Sequence, residues 1–208
     1  KDFKVTTARF ANVAFSNGSL LFGMINRFKL KQPFVAPNDI KRFFLTPSEA
    51  AKLSILATFN SKNRNIFIPN ISKIKEIDFK LIAKNFLKKM NYTIRFVNSE
   101  NKAREHIGEY LKNKEWPCFE FETDTTGEKL NETFVAYNEN VKKTSYIDID
   151  CIQMDAADSS IKINTMIDSY HLLEKDSSLD FLKIKNLILN IVKNFEHKDS
   201  SKNLEQKM

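Results

Sequence analysis

The sequence NIFIP at residues 65–69 is followed by DFKLIAKNFLKKM at 78–90 and by TIRFV at 93–97. The alternation continues with SENKAREHIGEYL at 99–111 and WPCFEF at 116–121. The three short runs are rich in β-branched and aromatic residues, whereas the two longer ones carry apolar residues at helical spacing. This strand–helix–strand–helix–strand order with short connections predicts an α/β layer arrangement rather than a helical bundle.

The residues before this unit contain two helix starts. Ser19 precedes an amphipathic stretch over 20–31, and Thr46-Pro47-Ser48-Glu49 places Thr at the N-cap, Pro at the first helical position and Glu at the third. We therefore predict helices over 20–31 and 47–58, with a strand over 5–13 before the first of them.

The residues after 121 have a less regular pattern. We predict a turn at 124–127, a helix over 128–134 and a strand over 146–152. A tail over 160–196 is predicted to be helical, in two pieces divided near Lys175.

The composition excludes several classes of protein. The chain has 208 residues, a net charge of +7 and only 4 Gly, whose spacings cannot form a G-x-G-x-x-G or P-loop phosphate cradle. Because the lysines are scattered among acids, we predict no nucleic-acid partner. Cys118 and Cys151 have no Cys or His neighbours at ligand spacing, so we predict no metal site and unpaired thiols of a cytoplasmic protein.

The length of the apolar stretches and the first residues indicate whether the chain spans a membrane and which part of a longer protein it represents. The stretch Leu20–Ile25 falls far short of the ~20 residues needed to span a bilayer, so we predict no membrane partner. The sequence begins with Lys and lacks its own cofactor cradle, and we expect it to be the C-terminal part of a longer protein.

Four ordered segments resemble one protein family. They are Thr7–Val13 with Ser16–Ser19, then Pro33–Pro47, then Trp116–Cys118 with Asp124–Lys129, and the ending His197-Lys198 with Lys202, Leu204 and Lys207-Met208. Together they resemble the C-terminal half of bacterial UDP-N-acetylglucosamine 4,6-dehydratases, which are extended short-chain dehydrogenases/reductases of polysaccharide biosynthesis.

The resemblance implies a fold and a reaction. It implies late Rossmann strands and a nucleotide-sugar-binding α/β region over 1–145, followed by a mainly helical extension over 146–208. The family's enzymes use NAD or NADP to oxidise C4 of the sugar, eliminate water across C5 and C6, and return the hydride to C6. Because the cofactor and the catalytic residues are held by the upstream half, we expect no catalytic residue in this chain and no activity from it alone. The full-length enzyme is expected to be a homo-oligomer.

Two sets of residues are expected to bind ligands. The UDP-sugar set is Asn12, Gly18, Ser19, Pro33, Phe34, Arg42, Thr125, Glu128 and Lys129, and the cofactor set is the backbone of Phe10 and Ala11.

The residue chemistry supports several of these assignments. The side-chain amide of Asn12, at a strand end, can both donate and accept hydrogen bonds. The free N–H groups at Gly18-Ser19, where a helix begins, suit an anion, although the Ser19 hydroxyl is better placed as an N-cap. The planar fork of Arg42 can hold a phosphate bidentately. By resemblance Arg42 binds the pyrophosphate, Glu128 accepts from the ribose hydroxyls, and the backbone at residues 33–34 brackets uracil.

One position departs from the family. Many relatives carry Arg-Pro before the glycine that corresponds to Gly127, whereas this chain has Thr125-Thr126. The neutral Thr hydroxyl cannot replace the charge of a second phosphate-binding Arg, and that charge is left to Lys129 or Arg27.

Three other functions remain open. One is a UDP-sugar epimerase or an inverting dehydratase, whose UDP-binding motifs would be the same. Another is a basic nucleic-acid or protein-interaction module, which requires a contiguous positive surface and salt-sensitive binding. The last is a non-catalytic remnant.

Overall fold

The computed structural model describes residues 3–124, 126–127, 131–154, 160–175, 180–192 and 195, which form a mixed α/β fold. Most strands are short, and several consist of two residues. They are β1 (Thr7–Ala8), β2 (Asn12–Val13), β3 (Phe34–Pro37), β4 (Lys41–Arg42), β5 (Phe44–Leu45), β6 (Asn65–Pro69), β7 (Ile77–Asp78), β8 (Thr93–Val97), β9 (Glu115–Phe121), β10 (Val141–Lys143) and β11 (Ile149–Gln153).

The helices alternate with these strands until residue 112 and follow one another in the tail. They are α1 (Leu20–Lys29), α2 (Pro47–Asn60), α3 (Phe79–Lys89), α4 (Glu100–Glu105), α5 (Ile107–Lys112), α6 (Ser160–Lys175) and α7 (Phe181–Ile191). Among the described residues, no helix combines the length and the apolar character that crossing a membrane requires.

Two larger sheets organise the chain. In the first, the strand order is β3-β9-β8 and all neighbours are parallel. In the second, the order is β1-β6-β11-β10, with β1 parallel to β6 and β11 antiparallel to both of its neighbours. Two further pairs have strands of two residues each: β2 and β5 are parallel, and β4 and β7 are antiparallel.

The main core lies between the β3-β9-β8 sheet and helices α1 and α3. Phe79, Ala83 and Leu87 recur at intervals of four residues, so one face of α3 is buried. Phe34 and Trp116 are at most 2% exposed, and their ring centroids are 5.8 Å apart. Full burial of a large apolar side chain contributes about 1.5–3 kcal/mol, so this cluster is the main source of stability in that layer.

The predicted helix starts are confirmed. The Ser19 hydroxyl accepts a hydrogen bond from the Phe22 N–H (3.2 Å), as an N-cap does. At α2, the Thr46 hydroxyl accepts from the Glu49 N–H (3.2 Å) and the Glu49 carboxylate accepts from the Thr46 N–H (2.7 Å). This reciprocal pair is the capping box that the sequence predicts.

The strand predicted over 5–13 is wrong in one respect, because it divides into β1 and β2. The Arg9 N–H donates to the Phe67 carbonyl of β6, whereas the Asn12 N–H donates to the Phe43 carbonyl beside β5. The chain thus changes its pairing partner between residues 9 and 12.

Two predicted helices also differ from the structure. The helix over 99–111 is interrupted at His106, whose φ of −102° and ψ of 14° end α4 just before Gly108, a weak helix former. The helix over 128–134 is wrong for its described part, because residues 131–134 are not helical. Arg9, Arg42 and Phe43 contact residues of this segment instead.

Candidate functional site

Strand pairing places Asn12 opposite Phe44, two residues after Arg42. In β2, Asn12 stands opposite Phe44 of β5 in a parallel pair, and its N–H donates to the Phe43 carbonyl (3.1 Å). Arg42 ends β4, directly before Phe43. Asn12 is exposed, so its amide is accessible to a ligand beside the stretch that carries Arg42.

Arg42 is a buried cation with a carboxylate partner. Its side chain is 8% exposed, its Nε lies 3.1 Å from Glu132 Oε1, and its Nη1 donates to the Lys41 carbonyl (3.0 Å). Burial of a charge is costly unless it is paired and hydrogen-bonded. These contacts provide that compensation and fix the plane of the guanidinium.

The segment that carries Glu132 is held at two further points. Phe134 is 6% exposed and meets Phe43 edge to face, with centroids 5.3 Å apart. The Arg9 guanidinium donates to the Phe134 carbonyl and to both oxygens of the Glu139 carboxylate. These side chains hold residues 132–139 from other parts of the fold, and the segment forms turns and bends rather than a helix.

Three of the predicted residues, Thr125, Glu128 and Lys129, lie outside the described residues. Described residues before and after them contact the stretch 39–42. Before them, the Thr123 N–H donates to both carboxylate oxygens of Asp39 (3.1 and 3.0 Å). After them, Glu132 pairs with Arg42.

Gly18 and Ser19 lie at the start of α1 and line a groove. Gly18 has a φ of +75°, the left-handed region that favours glycine. The groove has a volume of about 340 Å³ and is lined by residues of α1, together with Val35 and Arg104.

Pro33 and Phe34 are buried next to that groove. The Pro33 carbonyl accepts from Arg27 Nη1 (2.9 Å), and the Phe34 side chain is 0% exposed in the core. Because both side chains are buried, only the backbone at Pro33 and Phe34 can bind a ligand without a rearrangement of the core.

Arg27, a candidate for the second phosphate contact, already has an acidic partner. Its Nη1 lies 2.7 Å from Glu100 Oε1, an oxygen that Arg104 also contacts. Burial opposes ionisation of Glu100, but hydrogen bonds from the two arginines outweigh it and lower the pKa of the Glu100 carboxyl. Arg27 thus has a structural role in joining α1 to α4.

The cofactor candidates Phe10 and Ala11 lie between β1 and β2. Phe10 is 42% exposed and Ala11 is partly buried. β1 and β6 are parallel, so this bend lies beyond the carboxyl end of β1, the edge where α/β sheets bind ligands.

The sequence interpretation did not identify Arg9, Glu132 or Glu139 as part of this region. Arg9 lies within the segment Thr7–Val13 that resembles the family. Nothing in the sequence indicates that it pairs with an acid 130 residues away. Among the described residues, no group of three or more His, Cys, Asp or Glu side chains could hold a metal ion.

Comparisons with known proteins agree with this architecture. A model of the polysaccharide biosynthesis protein family matches residues 1–154. The chain belongs to this family. The family's description connects the chain to polysaccharide biosynthesis, and no curated protein matches the sequence.

Solved structures give the fold. The X-ray structure of Pen from Bacillus thuringiensis matches with a TM-score of 0.55 at 20% identity, over 74% of this chain and 41% of that chain. At this identity the likeness concerns the fold alone, which is Rossmann-like α/β. The chain thus spans less than half the length of the structure that it matches.

Proposed function

We propose that this chain binds the UDP moiety of a nucleotide sugar and forms the substrate-binding part of a UDP-N-acetylglucosamine 4,6-dehydratase. The observation that supports the proposal is the Arg42 guanidinium, whose Nε is paired with Glu132; Arg42 lies two residues before Phe44, the partner of the exposed Asn12 in the β2–β5 pair. A cation held in a fixed plane is suited to bidentate binding of a diphosphate.

The remaining contacts of the proposed site follow from its neighbours. Thr123, before Glu128, contacts Asp39, and Glu132, after it, contacts Arg42, and these contacts support our assignment of the ribose to Glu128. The second phosphate contact is left to Lys129 or Arg27, the two cations that the sequence offers for it. The backbone at residues 33–34 would bracket uracil, and Gly18-Ser19 would face the anionic part of the ligand.

The reaction itself belongs to the whole protein. NAD or NADP, when bound, would accept the hydride from C4 of the sugar and return it to C6. In this chain, the exposed bend at Phe10-Ala11 is compatible with a place beside the nicotinamide, and Asn12 would orient the sugar at the same edge. A cytoplasmic, homo-oligomeric enzyme remains part of the proposal.

A UDP-sugar epimerase is the second candidate, because the same UDP contacts would serve it. The basic interaction module is less favoured. The lysines are scattered among acids along the chain, so the sequence does not indicate the contiguous positive surface that such a module requires.

Calorimetric titration with UDP tests the proposal. The folded chain is expected to bind UDP saturably, and Arg42→Lys is expected to weaken binding by about 1.5–3 kcal/mol. Lysine keeps the charge but loses the fork, so the loss measures bidentate recognition. Arg95→Lys, at an exposed position of β8, is the matched control and should bind like the unmodified chain. A folded chain with no saturable UDP binding contradicts the proposal.

A further inference from the structure

Arg9 and Glu139 form a bidentate ion pair at the end of the segment that carries Glu132. Arg9 Nη1 lies 2.7 Å from Glu139 Oε2, and Nη2 lies 2.7 Å from Oε1. The side chains are 33% and 10% exposed, respectively. A fork-to-carboxylate pair of this kind fixes orientation as well as distance.

The pair has further hydrogen bonds on both sides. Arg9 Nη1 also donates to the Phe134 carbonyl, and Glu139 Oε2 accepts from the Ala136 N–H (2.8 Å). One arginine thus contacts the segment at two residues, and the carboxylate closes a turn within it. These contacts restrict the segment between Phe134 and Glu139.

The same segment reaches the proposed site at its other end. Glu132 contacts the Arg42 guanidinium, and Phe134 packs against Phe43, the next residue along. A displacement at Glu139 would therefore move the carboxylate that orients Arg42. Arg9 itself directly precedes the Phe10-Ala11-Asn12 bend, so the pair also anchors the start of that bend.

We propose that Arg9 and Glu139 are positioning residues whose ion pair holds segment 132–139 so that Glu132 keeps Arg42 oriented for a diphosphate. This inference rests on the proposed function, in which Arg42 binds the pyrophosphate of UDP. Arg9 and Glu139 act through Glu132 and need not touch the ligand. The pair accordingly affects affinity in the folded protein and not only stability.

A double-mutant cycle with UDP as the probe tests this. The variants are Arg9→Lys, Glu139→Gln and the two combined, each titrated at a temperature where its circular dichroism is that of the folded chain. Both single variants are expected to bind UDP about threefold to tenfold more weakly, and the double variant no more weakly than either, because the residues act as one unit. Backbone amides of 131–140 should exchange hydrogen faster in Glu139→Gln, while those of β8 and β9 should not change.

A surface pair serves as the control. Lys73 and Asp148 form an ion pair of 3.1 Å with side chains 43% and 83% exposed, and Asp148→Asn should leave UDP affinity unchanged. Arg9→Lys keeps the charge and provides the test if Glu139→Gln does not fold.

The outcomes separate this inference from the proposed function. If the unmodified chain binds UDP and the single variants bind equally well, even with lowered melting temperatures, the pair is merely structural and the inference is overturned. If the folded, unmodified chain does not bind UDP, the proposed function fails and the inference fails with it. Coupled losses of affinity support both.

Discussion

Arg42 and Glu132 form an ion pair in which Nε and Oε1 are 3.1 Å apart, with side chains 8% and 34% exposed. The arginine is thus almost entirely removed from water, whereas its partner remains at the surface. Loss of the Glu132 carboxylate would leave the buried Arg42 guanidinium without this ion pair, so the cost of removing its charge from water would be offset less fully.

We expect Glu132→Gln to destabilise the chain by about 1–3 kcal/mol, as loss of one partner of a charged hydrogen bond does. Gln keeps the shape and one acceptor, so the loss reports charge and not packing. Urea unfolding monitored by circular dichroism measures it, with Asp148→Asn as a control that should change stability by less than about 0.5 kcal/mol. Equal effects of the two substitutions would show that burial of Arg42 does not depend on Glu132.

The capping box of α2 gives a second prediction. Thr46→Ala removes the acceptor for the Glu49 N–H and is expected to cost about 1 kcal/mol. Ser48→Ala, an exposed change in the first turn of the same helix, should have little effect. Chemical unfolding gives the free energy of unfolding of each variant. If Thr46→Ala is as stable as Ser48→Ala, the capping box does not stabilise α2.

The core position of Phe34 gives a third prediction. Phe34→Ala removes a fully buried ring that contacts Phe86 and Trp116, and is expected to cost about 3–5 kcal/mol. Phe59→Ala, at a position 77% exposed, should change stability by less than about 0.5 kcal/mol. Thermal unfolding distinguishes the two, and a small effect of Phe34→Ala would exclude this residue from the stabilising core.

The ion pair of Glu139 makes stability depend on pH. The hydrogen bond from Arg9 lowers the pKa of the Glu139 carboxyl below its usual 4.5, with a smaller opposing effect from burial and further help from the Ala136 N–H. As pH falls, Glu139 is protonated in the unfolded chain before it is protonated in the folded one. The stabilising contribution of the Arg9–Glu139 pair is therefore fully present above about pH 4.5 and is lost as pH drops through the lower pKa of the folded state.

Unfolding free energies measured between pH 7 and pH 3 in the unmodified chain and in Glu139→Gln check this expectation. The stability difference between them should shrink toward acid pH. A difference that stays constant or grows as pH falls would be inconsistent with an ionised Glu139 in the folded state.

The two cysteines give a prediction about thiol reactivity. Burial raises the pKa of Cys118 to about 12, and burial also raises the pKa of Cys151. The thiolate is the reactive form, so neither residue should be alkylated at pH 8 in the folded chain. Iodoacetamide labelling followed by mass spectrometry should show both modified only after denaturant is added. Rapid labelling of Cys118 in the folded chain would contradict its place in the core.

Local sequence determined the elements whose signals are short-ranged. The capping box at Thr46–Glu49 forms as predicted because its partners are three residues apart. The strands at 65–69 and 93–97 also match, since a bounded run of β-branched and aromatic residues favours extended backbone without distant help. The α/β class follows from the same alternation.

The sequence was insufficient where a distant partner decides the backbone. Residues 131–134 have a helical pattern, but Arg9 and Arg42 bind the carbonyl of Phe134 and the carboxylate of Glu132, and the described segment is not a helix. The predicted strand over 5–13 breaks for a similar reason, because β6 pairs with its first part and β5 with its second.

The candidate site shows the same division. Residue type alone marks Arg42 as suited to phosphate and Asn12 as a strand-end amide, because those properties belong to the side chains themselves. The position of Asn12 opposite Phe44, two residues after Arg42, depends on the pairing of β2 with β5, and the ion pair of Arg42 depends on Glu132, ninety residues later in the chain. Such partners have no local signal, since the free energy of their contact exists only once the fold has brought them together. The sequence by itself therefore determined the chemistry available to this protein, and only the tertiary structure decided which of those groups act together.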